Sequence, residues 1–82
     1  MNNIHERLKL LRKTIGRSQV EFAHILHRTQ TAISEYESGK KNLTDRTIAD
    51  ICREFNVNEQ WLRAGDGPMF KQQDNLDNML TA

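Results

Sequence analysis

Residues 18–40, SQVEFAHILHRTQTAISEYESGK, decide the fold. Ser18 is a helix-capping residue, and Glu21 stands three places on, where it completes a reciprocal capping box. Phe22, Ile25 and Leu26 follow as the apolar stripe of the helix so begun. That helix must be short. Thr29 can cap the next one, which carries Ala32, Ile33 and Tyr36 inward and stops at the Ser38-Gly39 pair before Lys40. Between the two helices the chain has to turn sharply, and His27 stands at that place. Histidine tolerates the left-handed region better than most non-glycine residues, so the spacing predicts positive φ at His27.

Outward from this stretch the pattern stays helical. Ile4, Leu8, Leu11 and Ile15 recur at spacings of one helical face, with Gly16 as a stop, which predicts a helix over roughly 3–15. Thr44 opens a helix that places Ile48, Ile51, Cys52 and Phe55 on one side and ends at Asn56. Asn58 caps a last short helix through Trp61 and Leu62, and Gly65 closes it. No apolar alternation of strand length occurs, and the connections are short, so the expected fold is all-α, a bundle of five helices. Gly65-Asp66-Gly67-Pro68 breaks regular structure, which divides the chain into a domain over 1–66 and a polar C-terminal tail or linker over 67–82. Within that tail Leu76, Met79 and Leu80 share one face behind Asp74, although a frayed segment is the expectation.

A chain of 82 residues, 37% apolar and 28% charged, builds one small globular core. Its lone cysteine, Cys52, excludes a disulfide within the chain and fits a reducing compartment. Glu6, Arg7, Lys9, Arg12 and Lys13 leave no apolar signal region near the N-terminus, and no later run reaches the length of a membrane span. An intracellular protein without membrane contact is expected. The net charge of +1 conceals a division: residues 1–41 hold eight Lys/Arg against four acids, and residues 42–82 hold four against seven. A basic half beside an acidic one suggests an anionic partner for the first.

Catalytic chemistry finds few residues. His24 and His27 lie three apart without any accompanying ligand pattern, and Cys52 sits on the apolar face of its helix, the place of a core cysteine rather than of a nucleophile. There is no glycine-rich phosphate loop. Neither an enzyme, a metal nor a cofactor is expected.

The helix after Thr29 is more informative. At about 100° per residue, Gln30, Thr31, Ser34 and Glu35 fall within an arc of about 140°, opposite Ala32, Ile33 and Tyr36. Glutamine suits adenine, glutamate cytosine, the threonine methyl thymine, and serine either kind of base edge. Any amphipathic surface helix has a polar arc, so the flanks decide between the two readings. Arg17 and Gln19 before it, and Lys40 and Lys41 just after it, lie where a duplex backbone would pass if this helix entered the major groove.

These stretches resemble the phage repressor/Cro-like (XRE-type) helix-turn-helix regulators. Residues 18–23 resemble the first motif helix of that family, with Ala23 where the helices cross, and residues 29–40 its recognition helix with a Glu-x-Gly-Lys ending. Residues 55–62 match its passage from the fourth helix to the fifth, so that with Arg12 the resemblance covers 4–66. It implies a lambda-repressor-like DNA-binding domain with Gln30, Thr31, Ser34 and Glu35 as base readers. Gln19 and Lys40 are implied on the phosphate side, and Arg12 with Glu37 as a structural ion pair; Arg17, Ser18, Arg28 and Lys41 are expected on the phosphate side from their place beside the motif. His27 departs from the usual turn glycine, Arg28 and Arg17 from small or apolar residues, and Ile25 from a polar one.

The function expected is a sequence-specific transcriptional regulator of phage or mobile-element type, a dimeric repressor on a two-fold operator in double-stranded DNA. It would be cytoplasmic, in bacteria or encoded by a phage. Trp61, Leu62, Met69 and Phe70 are the apolar residues one small core needs least, and so are the expected dimer contacts. The alternative is a protein-interaction module, antitoxin-like or anti-repressor-binding, whose partner is held by the tail.

Overall fold

Five polar side chains start five helices. In the computed structural model, which describes residues 3–71, the side chains of Asn3, Ser18, Thr29, Thr44 and Asn58 each accept a backbone N–H in the first turn that follows. The helices are α1 (Ile4–Thr14), α2 (Gln19–Leu26), α3 (Gln30–Ser38), α4 (Asp45–Phe55) and α5 (Glu59–Ala64). Ser18 and Glu21 form the expected capping box. Four of the five ends are left-handed: His27 at φ 58° and Asn56 at φ 57° do for α2 and α4 what Gly39 and Gly65 do for α3 and α5.

Leu8 and Leu11 of α1, Phe22 of α2, Ile33 of α3, Ile51 of α4, Val57 of the α4–α5 connection and Leu62 of α5 are wholly buried. Each such side chain contributes about 1.5–3 kcal/mol relative to leaving it in water. α3 packs on α2 and α1, and α5 on α1 and α4. Phe22 and Phe55 stack with ring centroids 4.8 Å apart and planes 5° from parallel, which ties α2 to the end of α4. Among the described residues the one extended pairing is an isolated antiparallel bridge between Val57 and Phe70.

The core also buries Arg7. Its Nε and Nη2 donate to the carbonyls of Leu62 and Arg63, both at 2.9 Å, so that the guanidinium satisfies the end of α5 and docks that helix on α1. Beyond Gly65 the chain folds back on the α4–α5 turn. The N–H groups of Asn58 and Lys71 donate to the carbonyls of Met69 and Asn56 at 2.9 Å, and Asn58 Nδ2 donates to those of Asp66 and Pro68. Hydrogen bonds thus carry the packed chain past residue 66, where composition changes, to Lys71. The expectations for Leu76, Met79 and Leu80 lie outside the described residues.

Leu62 cannot serve a dimer contact as expected, because it has no exposed surface. Its position after Trp61 puts it on the inner side of α5, facing the core that Arg7 closes. Trp61, Met69 and Phe70 are half-buried against the same core and retain surface.

Candidate nucleic-acid interface

Two helix N-termini, those of α2 and α3, meet at one edge of the molecule because the left-handed His27 sends the chain back across α2. From the core outward, a single line of polar side chains connects them. Arg12 Nε donates to Glu37 Oε2 at 2.6 Å and Arg12 Nη2 to Glu37 Oε1 at 3.0 Å, a bidentate pair with side chains 10% and 4% exposed. Arg12 Nη1 donates to the Arg17 carbonyl at 2.9 Å, which fixes the approach to α2. The Glu37 hydrogen bond raises the Arg12 pKa further above its ordinary value. Glu37 Oε1 also accepts from Gln19 Nε2 at 3.1 Å, and Gln19 Oε1 accepts from Gln30 Nε2 at 2.9 Å.

The order of donors along this line has a physical cause. Arginine only donates and a carboxylate only accepts, so Gln19 must turn its amide nitrogen toward Glu37. Its oxygen then faces Gln30, which must in turn offer a nitrogen. Gln30 is left with its carbonyl oxygen and one N–H free, at the exposed first position of α3.

Thr31 is exposed beside Gln30, while Ser34 and Glu35 are partly covered. Lys40 and Lys41 are exposed in the turn after α3, which opens at the left-handed Gly39 capping the helix. Arg17 is exposed ahead of α2, and Ser18 uses its hydroxyl to cap the Glu21 N–H. The Ser18 N–H in return holds the Glu21 carboxylate below its ordinary pKa.

Arg28 takes a different part from the one expected of it. It lies across the gap between α2 and α4, donating to the Leu26 carbonyl at 2.7 Å, Thr47 Oγ1 at 3.1 Å and Asp50 Oδ2 at 2.9 Å. Those bonds occupy its guanidinium within the fold rather than at the edge of α3. Asp50, bonded also by Arg53 at 2.9 Å, is held below its ordinary pKa by Arg28 first and Arg53 second. A cavity of about 320 Å³ lies over this group, with half-buried Ile25 on its wall. Sequence reading gave no role to Arg7, to Arg46 on the first turn of α4, or to His5, whose Nδ1 lies 2.7 Å from the Tyr36 carbonyl. Nothing in the spacing of α1 marks His5, since its partner is a backbone oxygen 31 residues away. No group of His, Cys, Asp or Glu that could hold a metal occurs among the described residues, nor a helix long and apolar enough to cross a membrane.

The sequence model of the helix-turn-helix domain family matches residues 5–68. Antitoxin PezA of Streptococcus pneumoniae serotype 4 is 39% identical over 54 residues, which are 66% of this chain and 34% of the antitoxin. The chain therefore spans about a third of that relative's length. The P22 c2 repressor, solved in complex with a synthetic operator, superposes with a TM-score of 0.73 at 18% identity, over 80% of this chain and 100% of that one. A transcriptional regulator from Listeria innocua superposes with a TM-score of 0.69 at 18% identity, over 99% and 75% of the two chains. At that identity the two structures establish a shared fold, while the family model, covering all five helices and the turn between α2 and α3, shows that the chain belongs to the phage-repressor-like (XRE-type) helix-turn-helix family of DNA-binding regulators.

Proposed function

We propose that the protein is a sequence-specific transcriptional repressor of phage or mobile-element type, binding a two-fold operator as a dimer with α3 in the major groove. The observation that carries this reading is the relay from Arg12 through Glu37 and Gln19 to Gln30. A free oxygen and a free N–H on one amide, fixed in orientation from the core, are what adenine asks for: an acceptor for its N6–H and a donor for its N7. Gln30 reads that base. Thr31, Ser34 and Glu35 read its neighbours, and the charge of Glu35 excludes wrong sequences more than it attracts the right one.

Gln19 takes a phosphate with its remaining amide N–H, beside the N-terminus of α2, and Arg17, Lys40 and Lys41 contact the backbone on either side. Ser18 contributes through the helix N-terminus that it caps. One such helix reads only a few base pairs, so specificity requires two, with half-site centres about 34–36 Å apart. Trp61, Met69 and Phe70 supply the subunit contact. Repression is steric, and the protein acts in the cytoplasm.

Selection from random duplexes followed by gel shift tests the reading. A two-fold site should emerge, and Gln30→Ala should lose about 1–3 kcal/mol at one base pair per half-site while relaxing preference there. Lys40→Ala should weaken all sequences alike and lower the salt slope by about one unit per subunit. Failure to enrich any site would favour a second reading, which the likeness to an antitoxin supports: an interaction module whose partner is a protein.

A further inference from the structure

The turn after α3, which launches Lys40 and Lys41, leans on α1. The backbone closes it with one bond, from the Lys41 N–H to the Glu35 carbonyl at 3.2 Å. The Tyr36 carbonyl, one of the acceptors that the end of a helix leaves open, is taken by His5 Nδ1 at 2.7 Å. A carbonyl can only accept, so Nδ1 carries the proton and the tautomer is fixed. The same ring lies under the turn: a β-carbon built on Gly39 would stand 3.6 Å from His5 Cδ2 and 3.8 Å from Cγ. Gly39 is left-handed, at φ 86°.

We propose that His5 is a positioning residue for phosphate contact by Lys40 and Lys41. Its N–H holds the last turn of α3, its ring forms the floor beneath Gly39, and together they fix the direction in which the two lysines leave the helix. The assignment rests on the DNA-binding reading above and adds to it a residue outside the motif. Lysine is a flexible point charge, and its worth to a duplex depends on where its backbone is anchored. Without His5 the Tyr36 carbonyl goes to water, the floor is lost, and the turn can relax away from the phosphate path.

The test uses the full chain, an operator obtained by selection, and affinities measured across a salt series. His5→Ala should weaken every sequence alike, lower the salt slope by about one to two units per subunit, and leave the preference at the Gln30 base pair intact. In the His5→Ala background, Lys40→Ala should have little further effect. His5→Asn, which keeps a donor near the position of Nδ1, should recover most of the slope, and His5→Phe, which keeps only the floor, should recover part.

Urea unfolding of each variant separates folding from binding, and the asparagine and phenylalanine variants carry the test if the alanine variant does not fold. An unchanged salt slope in folded His5 variants, with Lys40→Ala fully additive, would overturn the assignment while leaving the DNA-binding reading in place. If the wild type enriches no duplex and shows no salt-dependent binding, that reading fails, and this assignment with it.

Discussion

Glu37→Gln should alter the stability of the domain and, in one of two placements of the new amide, the base it prefers. Glu37 accepts two hydrogen bonds from Arg12 and one from Gln19, in a site where Arg12 keeps only a tenth of its side-chain exposure. A hydrogen bond to a charged group contributes about 1.5–3 kcal/mol, and outright removal of one partner of a buried pair costs about 3–5 kcal/mol. Glutamine keeps one acceptor and introduces donors opposite donors, so a loss of about 2–3 kcal/mol is expected, with the Arg17 carbonyl still holding Arg12. For a domain of this size that is roughly 10–20 °C in Tm.

The second effect follows from the first. The new amide nitrogen takes one of two places: at Oε2 it faces Arg12 Nε and leaves Gln19 as it is, and at Oε1, between Arg12 Nη2 and Gln19, it makes Gln19 reverse to offer its oxygen. In the second place the Gln19 nitrogen faces Gln30, which reverses in turn and presents only donors. Such a face suits the N7 and O6 acceptors of guanine, so in that placement preference should move from adenine toward guanine at that pair by about 1–3 kcal/mol. Urea midpoints and competition gel shifts read the two effects separately. A stability loss below about 0.5 kcal/mol would show the ion pair to be inert, and a base preference that moves to neither adenine nor guanine but is lost altogether would refute the relay as the cause of Gln30 orientation.

Three further outcomes follow. His27→Gly should be neutral or stabilising by up to about 1 kcal/mol in thermal unfolding, because glycine adopts φ 58° without strain; a clear loss would mean that the imidazole holds the turn by contacts of its own. Asp50 has a folded pKa below its ordinary value, so its contribution is complete above the ordinary carboxylate range and is lost as pH falls through the lowered value; Asp50→Asn should therefore flatten the acid limb of a stability–pH curve. Burial raises the pKa of Cys52, so alkylation of the native protein should follow unfolding rather than thiolate formation, and labelling at the unfolded rate in native buffer would contradict its place in the core.

Four of the helices were legible because each was marked at both ends, and α1 because its apolar face repeats up to Gly16. Ser18 with Glu21, Thr29, Thr44 and Asn58 are caps whose function is local, and the left-handed exits at His27 and Asn56 follow from the shortness of the connections. The core stripes of α1 and α4 have the period of a single helix face. What the pattern did not contain were bonds to backbone oxygens far along the chain. Arg7 reads as one more surface cation on α1, yet it sits 6% exposed against the end of α5, which lies 55 residues away. Leu62 reads as spare because α5 is too short for a periodicity to establish, and the core needed it.

The proposed recognition surface was legible in its residue types more than in its connections. The polar arc of α3 follows from angle alone, and the basic residues at its flanks from counting. Arg28 shows where that counting stops: its charge was visible, but the Thr47 and Asp50 partners that draw it between α2 and α4 lie 19 and 22 residues on. The relay joins positions 12, 19, 30 and 37, and its meaning depends on the sequence of donor and acceptor rather than on proximity. Arg12 and Glu37 can each have only one polarity, whereas Gln19 and Gln30 can have either; the first two therefore set the second two. On the proposed reading, a base reader whose orientation is imposed from the core is coupled to stability, and that coupling is what Glu37→Gln probes. The same logic places His5 outside the reach of sequence reading, since its partner is a carbonyl that every residue possesses and only the crossing of α1 with the end of α3 selects the one at Tyr36.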